Sequence, residues 1–541
     1  MKRLFSLMLV FVCVIMGKAQ TKEYVITAYG ARPDGITNNV QAIQKAIDEA
    51  YNAGGGRVVI PRGRFVTGVI HLKSNVELFV HEEAVLLASF NRADYGPSLN
   101  ASALITADHQ SNIAITGKGL IDGQCDLLIN DIYTKLRLGE LYDDEWKAFN
   151  PWFQRRPSEK NRPRIIEFKN CNGITVKNIH IQNSAAWVQD YKACSNITID
   201  SIHVFSNTFW NNDGIDLVDC KNARVTNCII NAADDGICLK SEDRNDHCEN
   251  IYVANCRIRS SASAVKLGTA SLGGFQKIKI RNIDVYDTYR SAIAIETVDG
   301  GFVKDIDVKG VRAVNTGNAI FIRLGHRNND NVYSILRNVS IEDVKVIVPA
   351  TKPDKGYPME GPGLKYPKNY KIDTSTKYNS VSPWNNSGID SSAIPYPHNV
   401  FPAGICGIPG HPVENVTLKN IEVVYEGGGD STVNYMSLNA VNTITEAAGD
   451  YPEFSMFGEL PSWAMYVRHV EGLTMQQIKF INKKADYRTG ILINQSTNIH
   501  LKAVTIEGPV KNPVIYAHET KALVVDTLKS PVKNEKAIII K

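Results

Sequence analysis

A short unit that returns with a period in the twenties constrains this chain more than any other feature. It reads Cys171-Asn172-Gly173-Ile174-Thr175-Val176, Cys194-Ser195-Asn196-Ile197-Thr198-Ile199, Cys220-Lys221-Asn222-Ala223-Arg224-Val225, Cys248-Glu249-Asn250-Ile251-Tyr252-Val253 and Phe275-Gln276-Lys277-Ile278-Lys279-Ile280. The steps between copies are 23, 26, 28 and 27 residues. Further copies start at Ser111, Asn338, Asn415, Gly472 and Asn498. Short alternating strands with asparagine at the bends, recurring at such a period, describe a solenoid of stacked coils. Parallel β connections take the right-handed path. The fold class predicted is therefore all-β, a right-handed parallel β-helix. A leucine-rich repeat is the competing solenoid, and these units lack its leucine consensus and its helical half.

The ends and interruptions of the repeat follow from local patterns. Apolar residues Val40, Ile43, Ala46, Ile47 and Ala50 fall at helical spacing, with Thr37 as N-cap and Gly54-Gly55-Gly56 as terminator, which predicts an N-terminal capping helix. The repeat is broken by long loop insertions near 124–163 and 349–412. The first holds Tyr142, Trp146, Trp152 and Phe153; the second is rich in Pro, Gly, Tyr and Ser and includes Trp384. Such loops cover grooves or are plain insertions, and aromatic side chains in them stack on sugar rings or pack the loop itself.

Residues 1–19 have a basic start at Lys2-Arg3, an apolar run from Leu4 to Met16 and small residues at the end, the layout of a signal peptide that is too short to span a membrane. A mature chain of 20–541, one domain, exported to the periplasm or beyond the cell, is the expectation. Loss of Lys2, Arg3 and Lys18 takes the formal net charge of +4 to about +1, so there is no electrostatic footprint for nucleic acid or an anionic membrane. Nine of the ten cysteines remain, an odd number. Cys171, Cys194, Cys220 and Cys248 hold equivalent places in the repeat and are predicted to form a buried ladder of small apolar side chains rather than a disulfide network.

Alignment of the repeat puts Ile215, Ile237, Val265, Ile293 and Ile320 in one inward column and Leu217, Leu239, Leu267, Ile295 and Ile322 in another. Side chains alternate along a strand, so the residues between them face out. Two residues before the first column stand Asp213, Asp235, Ser263, Ser291 and Asn318. Adjacent coils lie ~4.8 Å apart, which brings Asp213 and Asp235 side by side with Asp234 at their edge. Crowded carboxylates split their pKa values, and a raised and an unraised acid together are what a glycosidase needs. The alternative for each aspartate is a turn cap. A further outward column contains Val218, Lys240, Gly268, Glu296 and Arg323, with Asp216 and Lys266 in the column between. Lys240 and Arg323 are placed to bind an anionic sugar and Glu296 to contact hydroxyls or assist proton transfer; a Glu296–Arg323 ion pair across adjacent coils is the alternative. His326 and Arg327 line the same groove or lie in a solvated loop.

At these residues the chain resembles glycoside hydrolase family 28, the polygalacturonase family. The segments that carry the resemblance are Tyr29-Gly30-Ala31-Arg32-Pro33-Asp34-Gly35, Gly54-Gly55-Gly56, Leu72-Lys73-Ser74-Asn75-Val76, Gly117-Lys118-Gly119-Leu120-Ile121-Asp122-Gly123 and the central acids. Asn211-Asn212-Asp213 is similar to the family's Asn-Thr-Asp motif, and Ala233-Asp234-Asp235 to its Gly/Gln-Asp-Asp motif. The resemblance implies hydrolysis of pectic glycosides with inversion, no metal or other cofactor, Asp234 as general acid, and Asp213 and Asp235 holding the attacking water. Two motifs depart. Gly-His-Gly falls on Ala262-Ser263-Ala264 and Arg-Ile-Lys on Ala294-Ile295-Glu296, so the histidine and both cations that hold a galacturonate carboxylate are replaced.

The expectation is an exported, exo-acting glycoside hydrolase whose partner is a polysaccharide or oligosaccharide. Its catalytic residues are Asp234, Asp213 and Asp235, and its substrate-binding residues Asn211, Lys240, Ser263, Lys266, Glu296 and Arg323. A polysaccharide lyase on the same fold and a non-catalytic carbohydrate-binding β-helix are the rival readings.

Overall fold

The computed structural model describes residues 21–147, 157–350, 399–510 and 513–541. The leader read at 1–19 and the aromatics Trp152, Phe153 and Trp384 lie outside them. The repeat forms a right-handed parallel β-helix, in which each coil supplies one strand to each of three faces. Coil stacking is residue for residue: Ile174 pairs with Ile197, Ile197 with Ala223, Ala223 with Ile251 and Ile251 with Ile278. All pairings between named strands among the described residues are parallel, and their inward residues make one continuous core along the axis.

Asparagine makes the sharp bends possible. Asn112, Asn196, Asn222 and Asn250 adopt φ near 54–55°, a left-handed conformation that asparagine tolerates better than other non-glycine residues. Their amides then bond from coil to coil, as in Asn250 Nδ2 to Asn222 Oδ1 at 2.8 Å. The cysteine ladder is present: all nine described cysteines are buried thiols. Cys194 and Cys220 donate to backbone carbonyls of Phe168 and Tyr191 at 3.3 and 3.0 Å.

Helix α1 (Val40–Asn52) covers the first coil with Ala42, Ile43, Ala46, Ile47 and Ala50 buried. Its N-cap is Asn39, not Thr37, which belongs to the preceding strand Asp34–Asn38. Thr37 bonds Asp34 instead, and the Asn39 amide ties Thr37 and Val66 carbonyls together at 2.7 and 3.1 Å. Gly54 and Gly55 close the helix through N–H bonds to Tyr51 and Ala50. Residues 124–163, read as a loop, contain helix α2 (Cys125–Leu138), whose Leu128, Ile129, Ile132, Tyr133 and Leu136 are buried at helical spacing. There Trp146 packs against Tyr133 with ring centroids 5.0 Å apart, while Tyr142 is exposed. No helix among the described residues is long and apolar enough to cross a membrane.

Candidate active site

The Asp-Gly-Ile frame is a consequence of coil stacking. A Cβ on Gly214 would lie 2.5 Å from the Gly236 carbonyl oxygen, and one on Gly236 would lie 2.6 Å from that of Ala264, so only glycine lets successive turns meet. Ile215 pairs with Ile237 and Ile237 with Val265, pointing inward, and Asp213 and Asp235 stand in the turn just before each of these strands, outside their alternation, in adjacent coils. Asn212 locks the turn from below: its amide donates to Ser184 and Ala186 carbonyls at 3.0 and 2.9 Å, and its oxygen accepts from Phe209 N at 3.1 Å. Oxygen atoms of Asp213, Asp234 and Asp235 all lie within 4.8 Å of one another, and the three side chains are nearly buried. The oxygens are close enough to ligate one cation, as are ligand atoms of Asp213, Asp216 and Cys238.

Two lysines hold this floor together. Lys240 Nζ lies 2.7 Å from Asp213 Oδ2 and also bonds Asp216, under the ring of Trp187 at 3.8 Å. Lys266 Nζ lies 3.1 Å from Asp235 Oδ2 and 3.8 Å from Glu296 Oε2, and donates to the Tyr451 hydroxyl at 2.9 Å. Burial, offset by Lys240 and reinforced by Asp235, pushes the Asp213 carboxyl up; burial pushes Asp216 well up. Asp235 goes the other way. Burial opposes its charge, but Lys266, Arg290 and Lys240 outweigh it and hold the carboxyl below its usual range. Burial lifts Glu296 to about 8 against the pull of Lys266. Adjacent carboxylates are thus driven apart in acidity, the condition for dividing acid and base roles.

The remaining expected residues fall in different places. Ser263 follows Asp235 in the column and donates its N–H to Asp235 Oδ1 at 2.9 Å. Asn211 borders the site with φ 55°, its Oδ1 accepting from Arg162 Nη2 at 2.6 Å. Arg323 shares the Glu296 column but is buried beneath residues 444–447, where it donates to carbonyls of Gly407, Glu446 and Ala447 at 2.9, 2.7 and 3.1 Å. It is a structural anchor rather than a sugar ligand, and Glu296 pairs with Lys266, not with Arg323. Arg327 pairs with Asp299 at 2.8 Å, and His326 stacks on Tyr333.

Sequence reading missed Arg290, Tyr451, Glu453 and Trp187. Arg290 had a signal: it holds in its coil the place that Asp234 holds two coils earlier. It pairs with Glu453 at 3.1 Å and helps hold Asp235 ionised. Tyr451 and Glu453 come from a connection between the strands Val413–Tyr425 and Ser462–Arg468 that folds back over the groove. No local period marks where such a connection lands.

A groove floored by crowded, differently poised carboxylates on a parallel β-helix is the site of a glycoside hydrolase. The chain belongs to Glycosyl hydrolases family 28, whose sequence profile matches residues 52–348. A probable polygalacturonase of Vitis vinifera is 28% identical over 441 residues, covering 72% of this chain and 84% of that protein. The exo-poly-alpha-D-galacturonosidase of Dickeya chrysanthemi is 27% identical over 304 residues, 49% of this chain and 50% of that one. The hyperthermoactive exopolygalacturonase of Thermotoga maritima superposes with a TM-score of 0.55 at 23% identity, covering 76% of this chain and 88% of that one. The Yersinia enterocolitica family 28 exopolygalacturonase gives 0.54 at 18%, covering 95% and 80%. Both superpositions show the shared fold.

Proposed function

We propose that this protein is an exported hydrolase of pectic or related plant polysaccharide that cuts from a chain end with inversion. The observation that carries the hydrolase reading is the trio Asp213, Asp234 and Asp235 with oxygens within 4.8 Å, Asp213 lifted by burial and Asp235 lowered chiefly by Lys266. Inversion rests on the resemblance to family 28, because this spacing is shorter than the ~6.5–9.5 Å usual for inverting pairs. In this reading Asp234 protonates the leaving oxygen, and Asp213 and Asp235 position and activate the water. Exo action is supported by the connection at 444–453, which packs onto the groove floor through Arg323, Lys266 and Arg290. Export rests on the basic start and apolar run of the first 19 residues.

The test is a screen of purified protein against pectic oligosaccharides of defined linkage, with product anomers followed by NMR. Inverted anomers and single-unit release are expected. A retained anomer at early time would sink the inverting assignment, and an unsaturated, ultraviolet-absorbing product would replace hydrolysis by β-elimination.

A further inference from the structure

The charges on the groove floor are already matched within the protein. Lys240 is held by Asp213 and Asp216, Lys266 by Asp235 and Glu296, and Arg290 by Glu453. Arg323, in the same outward column, is directed into backbone carbonyls. Carboxyls therefore outnumber cations on the floor even before Asp234 is added. A sugar carboxylate arriving here would have to draw a buried cation from a protein carboxylate and leave that carboxylate unpaired, a costly exchange.

The hydrogen-bonding inventory leads to the same place. Glu296 is 3% exposed, and its Oε2 has no hydrogen-bond partner among the described residues; Lys266 Nζ stands off at 3.8 Å. A buried acceptor of this kind calls for a donor. A sugar hydroxyl supplies one. A hydroxyl both donates and accepts, so it satisfies Glu296 ionised or, below about pH 8, protonated. An ionised sugar carboxylate is acceptor-only, setting oxygen against oxygen in the first case and, in the second, gaining one O–H bond but no cation free of a protein carboxylate. Beside it the Tyr451 ring, 49% exposed, lies 5.1 Å over Lys266 and offers an apolar face to a pyranose.

We infer that the sugar lying over Lys266 and Glu296 is uncharged, and that Glu296 is a specificity-determining residue that hydrogen-bonds its hydroxyl and disfavours a carboxylate. The inference rests on the glycosidase reading above and deepens it by naming the substrate class at this subsite.

Three probes of one linkage separate charge from shape: an α-1,4 oligogalacturonide, its methyl ester and its carboxyl-reduced form. Binding is measured by calorimetry on Asp234→Asn, and turnover on the wild type. The expected result is at least tenfold tighter binding of the two neutral probes, and a ratio that falls at least threefold when Glu296→Gln is added. Should the Gln variant fail to fold, the ratio on Asp234→Asn alone still decides. Preference for the free acid, equal binding of all three, binding of none, or a ratio unmoved by folded Glu296→Gln overturns the inference. Wild-type hydrolysis led by the free acid overturns it while leaving the glycosidase reading intact. Tight neutral binding with no hydrolysis of any probe removes that reading and leaves the charge preference standing.

Discussion

Lys240→Met tests the reasoning about the floor most directly. Lys240 Nζ lies 2.7 Å from Asp213 and bonds Asp216, both almost fully buried, and Oδ1 of Asp213 and Oδ2 of Asp216 have no hydrogen-bond partner among the described residues. Taking one partner from a buried ion pair costs about 3–5 kcal/mol. Proton uptake sets a ceiling. A carboxyl with an unfolded pKa of ~3.9 is held neutral at pH 7 for about 4 kcal/mol, and at pH 5 for about 1.5 kcal/mol. Asp213 and Asp216 already lie above their unfolded values through burial, and loss of Lys240 raises them further. The folded state then binds the extra proton, and stability is lost as pH rises. We expect Lys240→Met to be destabilised by about 4 kcal/mol near pH 7 and by less than half of that at pH 5. Adding Asp216→Asn removes one of the stranded charges and is expected to restore at least about 1.5 kcal/mol at pH 7. Thermal and denaturant unfolding at the two pH values, with wild type and both variants, is the assay. Equal stability of Lys240→Met and wild type at pH 7, or a loss that does not change with pH, refutes the account of Lys240 as the neutralising centre.

Asp234→Asn, Asp213→Asn and Asp235→Asn are each expected to lower kcat by about 10²–10⁴ with the fold retained; steady-state kinetics and circular dichroism check this. Glu296 is lifted by burial to about 8, above its unfolded value of ~4.3. The stability it contributes is complete below that lower value and lost as pH rises through about 8. Melting temperature should therefore fall between roughly pH 5 and 8.5, less steeply in Glu296→Gln. Arg323→Ala orphans three carbonyls at 407, 446 and 447 and should cost about 2–4 kcal/mol. Faster amide exchange at 444–453, with products shifting from single units to mixed lengths, is the readout.

Most of the solenoid was legible because a strand's period of two and a coil's period in the twenties fix both faces and neighbours at once. That is why Lys240, Lys266 and Glu296 fall on one outward floor by strand alternation, while the coil period alone brings Asp213 and Asp235, in the turns before the strands, side by side. Register says which residues stack; it does not say what lies on top of them. Arg323 occupies the expected column, yet a connection more than a hundred residues downstream covers it, so its guanidinium meets carbonyls instead of solvent. Lys266 and Tyr451, 185 residues apart in sequence, meet for the same reason. Helix α2 was missed by a different route: its apolar residues follow a 3.6-residue period inside a segment set aside as an interruption of the β repeat.

The departure at Ala294-Ile295-Glu296 from the family's Arg-Ile-Lys pattern makes sense as a rearrangement of charge. Lys266 pairs across the sheet with Ala294, and Glu296 follows two residues later on the same strand. Coils are ~4.8 Å apart, so an arginine at 294 would set a second cation directly beside Lys266, and like charges opposite one another destabilise a sheet. With the cation at 266 instead, Ala294 avoids the repulsion, and the Glu296 carboxyl at 3.8 Å is a polar neighbour that brings no second cation. The floor keeps a positive charge next to Asp235, where it holds a carboxylate ionised, but moves it one coil toward the acids and pairs it there. A cation bound in this way serves the chemistry of Asp235 and is no longer open to a sugar carboxylate. Restoring Ala294→Arg alone should therefore destabilise the protein without creating a uronate site, whereas Ala294→Arg with Glu296→Lys and Lys266→Ala should shift binding toward the acidic oligosaccharide. Calorimetry with the charged and carboxyl-reduced probes separates the two outcomes, and a gain of uronate affinity from Ala294→Arg alone would contradict the compensation argued here.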